Sequence, residues 1–95
     1  MKQLLRNKIH NDIKSHDVTF VEHKGMKIKM TYESYVGGEK YTSEIFDGTK
    51  WNSLFNLMDL GELPSGSTYL ESTSQREEKA NRLFLKAKSL IEKII

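Results

Sequence analysis

The sequence predicts an α+β domain: a helix, a three-stranded antiparallel meander and two further helices packed on one face of the sheet. Three observations predict it. Residues 26–35 alternate apolar and polar side chains, Gly37-Gly38 offers a tight turn after them, and residues 74–95 repeat apolar side chains at helical spacing. Ninety-five residues make one domain, 1–95, able to bury one modest core.

The elements follow in order. Met1, Leu5, Ile9 and Ile13 recur every four positions, which predicts a helix over 2–15 with one apolar stripe. Residues 18–23 read as a strand, and Lys24-Gly25 as a turn. In 26–35, Met26, Ile28, Met30 and Tyr32 share one face, and Lys27, Lys29, Thr31 and Glu33 share the other. Residues 39–46 return as a third strand. Asp47-Gly48-Thr49 breaks it, with Thr49 placed to cap a helix. Trp51, Leu54, Phe55 and Met58 then fall at i, i+3, i+4 and i+7, which predicts a core-facing helix ended by Gly61 and Pro64. Residues 62–73 form a long Ser/Gly/Thr-rich connection or a short edge strand. Ser74-Gln75-Arg76-Glu77 reads as a capping box opening the last helix. On that helix Ala80, Leu83, Ala87, Leu90, Ile91 and Ile94 form the apolar face.

Charge is sorted along the chain. Residues 1–32 carry seven Lys/Arg and three Asp/Glu, 33–71 carry two and seven, and 72–95 carry six and three. The formal net of +2 is therefore +4, −5 and +3 in sequence, which predicts a dipolar surface suited to orienting a partner. There is no cysteine, so a disulfide framework, a Cys-based zinc site and a thiol nucleophile are excluded. The first residues lack the apolar region of a signal peptide, and no apolar run approaches the ~20 residues that span a bilayer. A cytoplasmic protein without membrane partners is expected.

The candidate binding residues are cations and exposed aromatics. Lys79, Arg82, Lys86 and Lys93 form a band beside the apolar face of the last helix, with Arg76 in its first turn. Lys27 and Lys29 sit on a strand, and Tyr35 shares their polar face. Tyr69 lies in the long connection, where its ring is available for stacking. Trp51 and Tyr41 are expected in the core. His10, His16 and His23 have no ligand spacing such as His-x₃-His, so no metal and no cofactor is expected. No nucleophile elbow, phosphate loop or paired-carboxylate arrangement is present in the sequence.

The predicted order helix–three strands–helix over 2–60 is similar to that of double-stranded-RNA-binding domains. That family opens its second helix with a Gly-x-Gly-x-Ser-Lys-Lys type of segment that meets phosphate. Asp47-Gly48-Thr49-Lys50-Trp51 stands here instead, with one lysine and no doublet. The order with a further helix also looks like that of some small phage anti-CRISPR proteins, of which the DNA mimics are strongly acidic. Fold order does not transmit function. The expected function is a small non-enzymatic binding protein. It acts as a regulator or inhibitor of the phage or mobile-element type, docking on a host protein or nucleoprotein. The alternative is a nucleic-acid binder, RNA more than DNA, using the basic helix face. A small enzyme is the third class.

Overall fold

In a computed structural model, which describes residues 1–35, 38–61, 63 and 71–95, the chain forms five strands followed by one helix. The strands are β1 (Lys2–His10), β2 (Ser15–His23), β3 (Met26–Tyr35), β4 (Gly38–Phe46) and β5 (Trp51–Asn56), and the helix is α1 (Thr73–Ile94). They make one antiparallel sheet in the order β1-β2-β3-β4-β5, with each strand paired to its sequence neighbour.

The turns show why the chain doubles back where it does. His23 pairs with Met26, leaving Lys24 and Gly25 at φ 52° and 79°. Two successive positive φ values are what a type I′ hairpin requires. The β1–β2 and β4–β5 turns are each built on an Asx residue. Asn11 Oδ1 accepts from the amides of Ile13 and Lys14, and Asp47 Oδ1 from those of Thr49 and Lys50. These side chains supply the acceptors that the turning backbone needs.

The expected meander therefore stands as β2, β3 and β4, but the two helices expected around it are strands. The four-residue spacing of Met1, Leu5, Ile9 and Ile13 fits a helical stripe, and it equally fits one face of a strand, since four is a multiple of two. Pairing to β2 decides in favour of the strand, and all four side chains remain exposed, between 38% and 68%. At β5 the misleading signal is a bulge. Ser43 pairs with Phe55 and Glu44 with Ser53, so Leu54 is an extra residue. The insertion turns a strand's alternation into an i, i+3, i+4 pattern. Thr49, read as a helix cap, instead donates its hydroxyl to Asp47 within the turn. With both helices gone, the likeness in element order to RNA-binding and anti-CRISPR domains also goes.

The helix starts two residues earlier than the capping motif suggested. Ser72 is the cap. Its hydroxyl accepts from the Gln75 amide, and the Gln75 side chain accepts from the Ser72 amide. Ser-x-x-Gln at 72–75 and Ser-x-x-Glu at 74–77 are both valid capping boxes, and the first one closes. The apolar face holds, with Ala80, Leu83, Ala87 and Ile91 buried, Leu90 packed at the margin and Ile94 exposed.

The helix lies on the face formed by the odd residues of β2, the even residues of β3 and the odd residues of β4. Towards its C-terminal half this interface is apolar, built from Val21, Ile28, Met30, Leu57, Leu83, Ala87 and Ile91. Leu54 and Phe55 pack against it, whereas Trp51, expected beside them in the core, pairs with Phe46 on the opposite face of the sheet. Tyr41 is buried as expected. Of the expected 62–73 connection, Leu63 and Glu71–Thr73 are described, Thr73 as the first residue of α1; the alternative edge strand falls on residues 67–71, of which only Glu71 is described, outside any strand.

Two stability tests follow from this placement. Ile28→Ala should cost about 2–5 kcal/mol, and Trp51→Ala should lower the urea midpoint much less. Equal losses would put Trp51 in the main core. Ser72→Ala should cost about 0.5–2 kcal/mol and speed amide exchange in the first turn of α1, while Ser74→Ala leaves both unchanged.

Candidate binding surfaces

The open face of the sheet carries Leu5, Asn7 and Ile9 of β1, and His16, Val18, Phe20 and Glu22 of β2. Lys27, Lys29, Thr31, Glu33 and Tyr35 of β3 continue it, followed by Lys40, Thr42, Glu44 and Phe46 of β4 and Trp51 of β5. Their alternation with the helix-side residues fixes this assignment. The Trp51 ring meets Phe46 at 5.2 Å and Phe20 at 6.0 Å between centroids, and Lys29 Nζ lies 4.9 Å from its centre. Leu5 is 52% exposed, Ile9 58% and Tyr35 53%. Between the ends of β1 and β3, Ile9, Lys14, His16, Glu33 and Tyr35 line a groove of about 400 Å³.

Charge on this face is balanced strand by strand. Lys29 stands opposite Glu44 at 3.6 Å, and Lys40 opposite Glu33 at 3.3 Å, with His16 also 3.8 Å from Glu33. Lys27 and Lys2 both stand opposite Glu22. Such cross-strand pairs stabilise the sheet and leave little net charge to hold phosphate.

The cations of α1 divide into two groups. Arg76 is wholly buried, donates to the Ser34 hydroxyl and lies 4.0 Å from Glu71. Lys79 is bound by Glu71 and sits 3.3 Å from Glu39, which also accepts from the Tyr32 hydroxyl at 2.8 Å. Arg76 inside the protein and Lys79, part-buried at its margin, hold the N-terminal half of α1 to β3 and β4. Arg82, Lys86 and Lys93 point outward with Leu85, and Glu78 precedes Arg82 by one turn. Lys27, Lys29 and Tyr35 lie on the far side of the sheet from them. The structure thus places eight of the nine candidates, at three sites. Lys27, Lys29 and Tyr35 are on the open face, Arg76 and Lys79 are between α1 and the sheet, and Arg82, Lys86 and Lys93 are on the outer helix surface. Tyr69 lies outside the described residues.

A second polar cluster, invisible while β1 was read as a helix, joins β1, β2 and α1. Arg6 Nε donates to both oxygens of Asp17 at 3.0 and 3.2 Å, and its terminal nitrogen also reaches Asn81 at 2.8 Å. The hydrogen bonds to Asp17 hold the Arg6 guanidinium above its usual pKa range. Lys8 pairs with Glu77 at 2.9 Å, and this bond keeps the Glu77 carboxyl below its ordinary value. His10 Nδ1 lies 2.9 Å from Ser15 Oγ, and its Nε2 lies 3.6 Å from Asp17 Oδ2. Ser, His and Asp meet here, but Ser15 is only 3% exposed under the helix and Asp17 is already gripped by Arg6. The arrangement orders the interface, and Ser15 also lines the groove between the ends of β1 and β3.

Among the described residues no group of three His, Asp or Glu side chains is placed to hold a metal ion, and no helix is long and apolar enough to cross a membrane. Comparison of the chain with protein-family models, with curated proteins and with solved structures gives no match.

The buried imidazole makes stability depend on pH. Burial lowers the His10 pKa from its ordinary 6.5, against the opposing pull of Asp17. The unfolded chain then binds more protons than the native one between the two values, so this contribution is full above the unfolded pKa and is lost as pH falls through the folded pKa. Urea midpoints should fall from pH 7 to pH 5 in the wild type, and His10→Gln should flatten that fall. An equally steep fall in the variant would assign it to other groups.

Proposed function

We propose that this protein is a non-enzymatic binding protein that docks a protein partner on the open face of its sheet, acting as a regulator or inhibitor by occupying the partner's surface. The observation that carries this reading is the pairing of every β3 and β4 lysine on that face with a glutamate, around exposed Leu5, Ile9 and Tyr35 and the Trp51 cluster. A balanced, partly apolar surface with aromatic anchors suits a protein interface. Nucleic-acid binding needs unbalanced positive charge. It would draw on Arg82, Lys86 and Lys93 on the opposite side, since Arg76 and Lys79 are consumed by Glu39 and Glu71.

The test separates the two. Immobilised protein is incubated with cell lysate, with and without nuclease, and washed across a salt series. Retained protein should survive nuclease and salt, and should be lost with Val18→Asp/Tyr35→Ser but not with Arg82→Gln/Lys86→Gln/Lys93→Gln. Retention that nuclease abolishes, or that falls with salt by about 0.7–0.9 log units per phosphate contact and tenfold salt, sinks the open-face reading in favour of the outer helix.

A further inference from the structure

Among the described residues β1 is an edge of the sheet, and we propose that two copies of this chain pair through it, antiparallel about a two-fold axis at Asn7, to form one continuous ten-stranded sheet.

An edge strand presents unpaired backbone donors and acceptors, and proteins commonly blunt such edges with bulges, prolines or lysines. The bulge of β1 lies between Gln3 and Leu5, so residues 5–10 pair with β2 in unbroken register. That run contains no proline. Its two cations are turned to the helix side and neutralised there, Arg6 by Asp17 and Lys8 by Glu77. The usual charge deterrent is therefore removed from the edge. What remains on the open side is Leu5 and Ile9, more than half exposed, on either side of Asn7.

The register identifies the occupant. Two neighbouring antiparallel copies with their helices on the same side must be related by an axis normal to the sheet. Residues then face each other with an even index sum. Centring on Asn7 sets Leu5 of each copy against Ile9 of the other and Asn7 against Asn7, and it opposes Arg6 with Lys8, both already ion-paired. Sliding the centre to Arg6 opposes Leu5 with Asn7 and sets arginine on arginine. Sliding it to Lys8 opposes Ile9 with Asn7 and sets lysine on lysine. Within residues 5–10 only the Asn7 centre matches both apolar residues at once, and cross-strand apolar pairs of this kind stabilise a sheet. The strand is complementary to itself in one register.

Sedimentation equilibrium of the full chain over a concentration series should show a monomer–dimer equilibrium. Leu5→Lys/Ile9→Lys should weaken it by at least about tenfold, since two apolar pairs become two like-charge pairs. Far-UV circular dichroism should stay unchanged, and so should the urea midpoint at concentrations where the wild type is monomeric, because both side chains are exposed. Mixing that variant with Leu5→Glu/Ile9→Glu should restore a dimer of one copy of each. The natural chain has no cysteine, so Asn7→Cys provides a unique crosslink. Facing residues of an antiparallel pair have Cα atoms about 4.5–5.5 Å apart, within disulfide reach. Asn7→Cys should oxidise to a covalent dimer, and Leu5→Cys should not. A chain that stays monomeric at every concentration overturns the proposal. So does a dimer that Asn7→Cys fails to crosslink, or a monomer that takes another protein's extended peptide on β1.

Discussion

The structure depends on how one helix is held along one strand. Asp12, at the tip of the β1–β2 hairpin, accepts from the amide and hydroxyl of Thr73 at the start of α1. Lys24, in the β2–β3 turn, donates to the Ile95 carbonyl at the helix's other end. The two turns are joined by β2, nine residues long and so about 30 Å. The helix has 22 residues and so spans about 33 Å. Strand and helix match in length, and each clamp has the sign that favours its helix end, an acid at the N-terminus and a base at the C-terminus. The Thr73 bonds hold the Asp12 carboxyl below its ordinary pKa. With α1 fixed in this direction, its apolar C-terminal half lies on Val21 and Ile28, and its N-terminal half lies over Ser15, Asp17 and Ser34.

A single helix about 10 Å wide cannot cover five strands spaced about 4.8 Å apart. The small Ala80 and Ala87 let it approach the central strands, and long side chains fill the flanks. Arg6 crosses from β1 to lie over Phe84, while Tyr32, Arg76 and Lys79 fill the other side. Burial and the Glu39 bond raise the Tyr32 pKa far above its usual range, so the hydroxyl stays a donor. Buried charge of this kind is costly unless each group is met by others. Charge that is sorted along the chain is therefore mixed in space: basic Arg6 and Lys8 meet Asp17 and Glu77, and basic Lys79 meets Glu39 and Glu71 of the acidic middle. The three blocks of the sequence do not become three blocks of surface.

That mixing explains how much was legible beforehand. β3, β4 and the inner face of α1 could be read because their periods hold over eight or more residues, whereas β2 was legible only over 18–23, since Ser15, Asp17 and Thr19 put polar side chains on its buried face. β1 and β5 could not, because a four-residue repeat fits both periods and a bulge at Leu54 imitates a helix. The decisive information for β1 is its pairing with β2, a long-range fact. The sites follow the same division. Tyr35 on the polar face of β3 was legible from alternation alone. The burial of Arg76 and Lys79 was not, because their partners Ser34, Glu39 and Glu71 are brought to them by the sheet. The Asx turns at Asn11 and Asp47 were available as signals, each an acceptor side chain opening a four-residue turn between paired strands.

Among the described residues nothing covers the open face of the sheet. That face must stabilise itself, and it does so with cross-strand pairs: Lys29 with Glu44, Lys40 with Glu33, Thr31 with Thr42 and Phe46 with Trp51. Each such pair contributes roughly 0.2–1 kcal/mol, enough together to hold register without a second layer. A face held in this way does not need the proposed partner in order to fold, so its occupancy would be set by affinity and concentration. The ladder that fixes the strands also spends the lysines, so an arriving surface meets balanced charge and the rings of Trp51, Phe20 and Tyr35. In the proposed docking, selection among partners would rest on shape and apolar fit around these anchors.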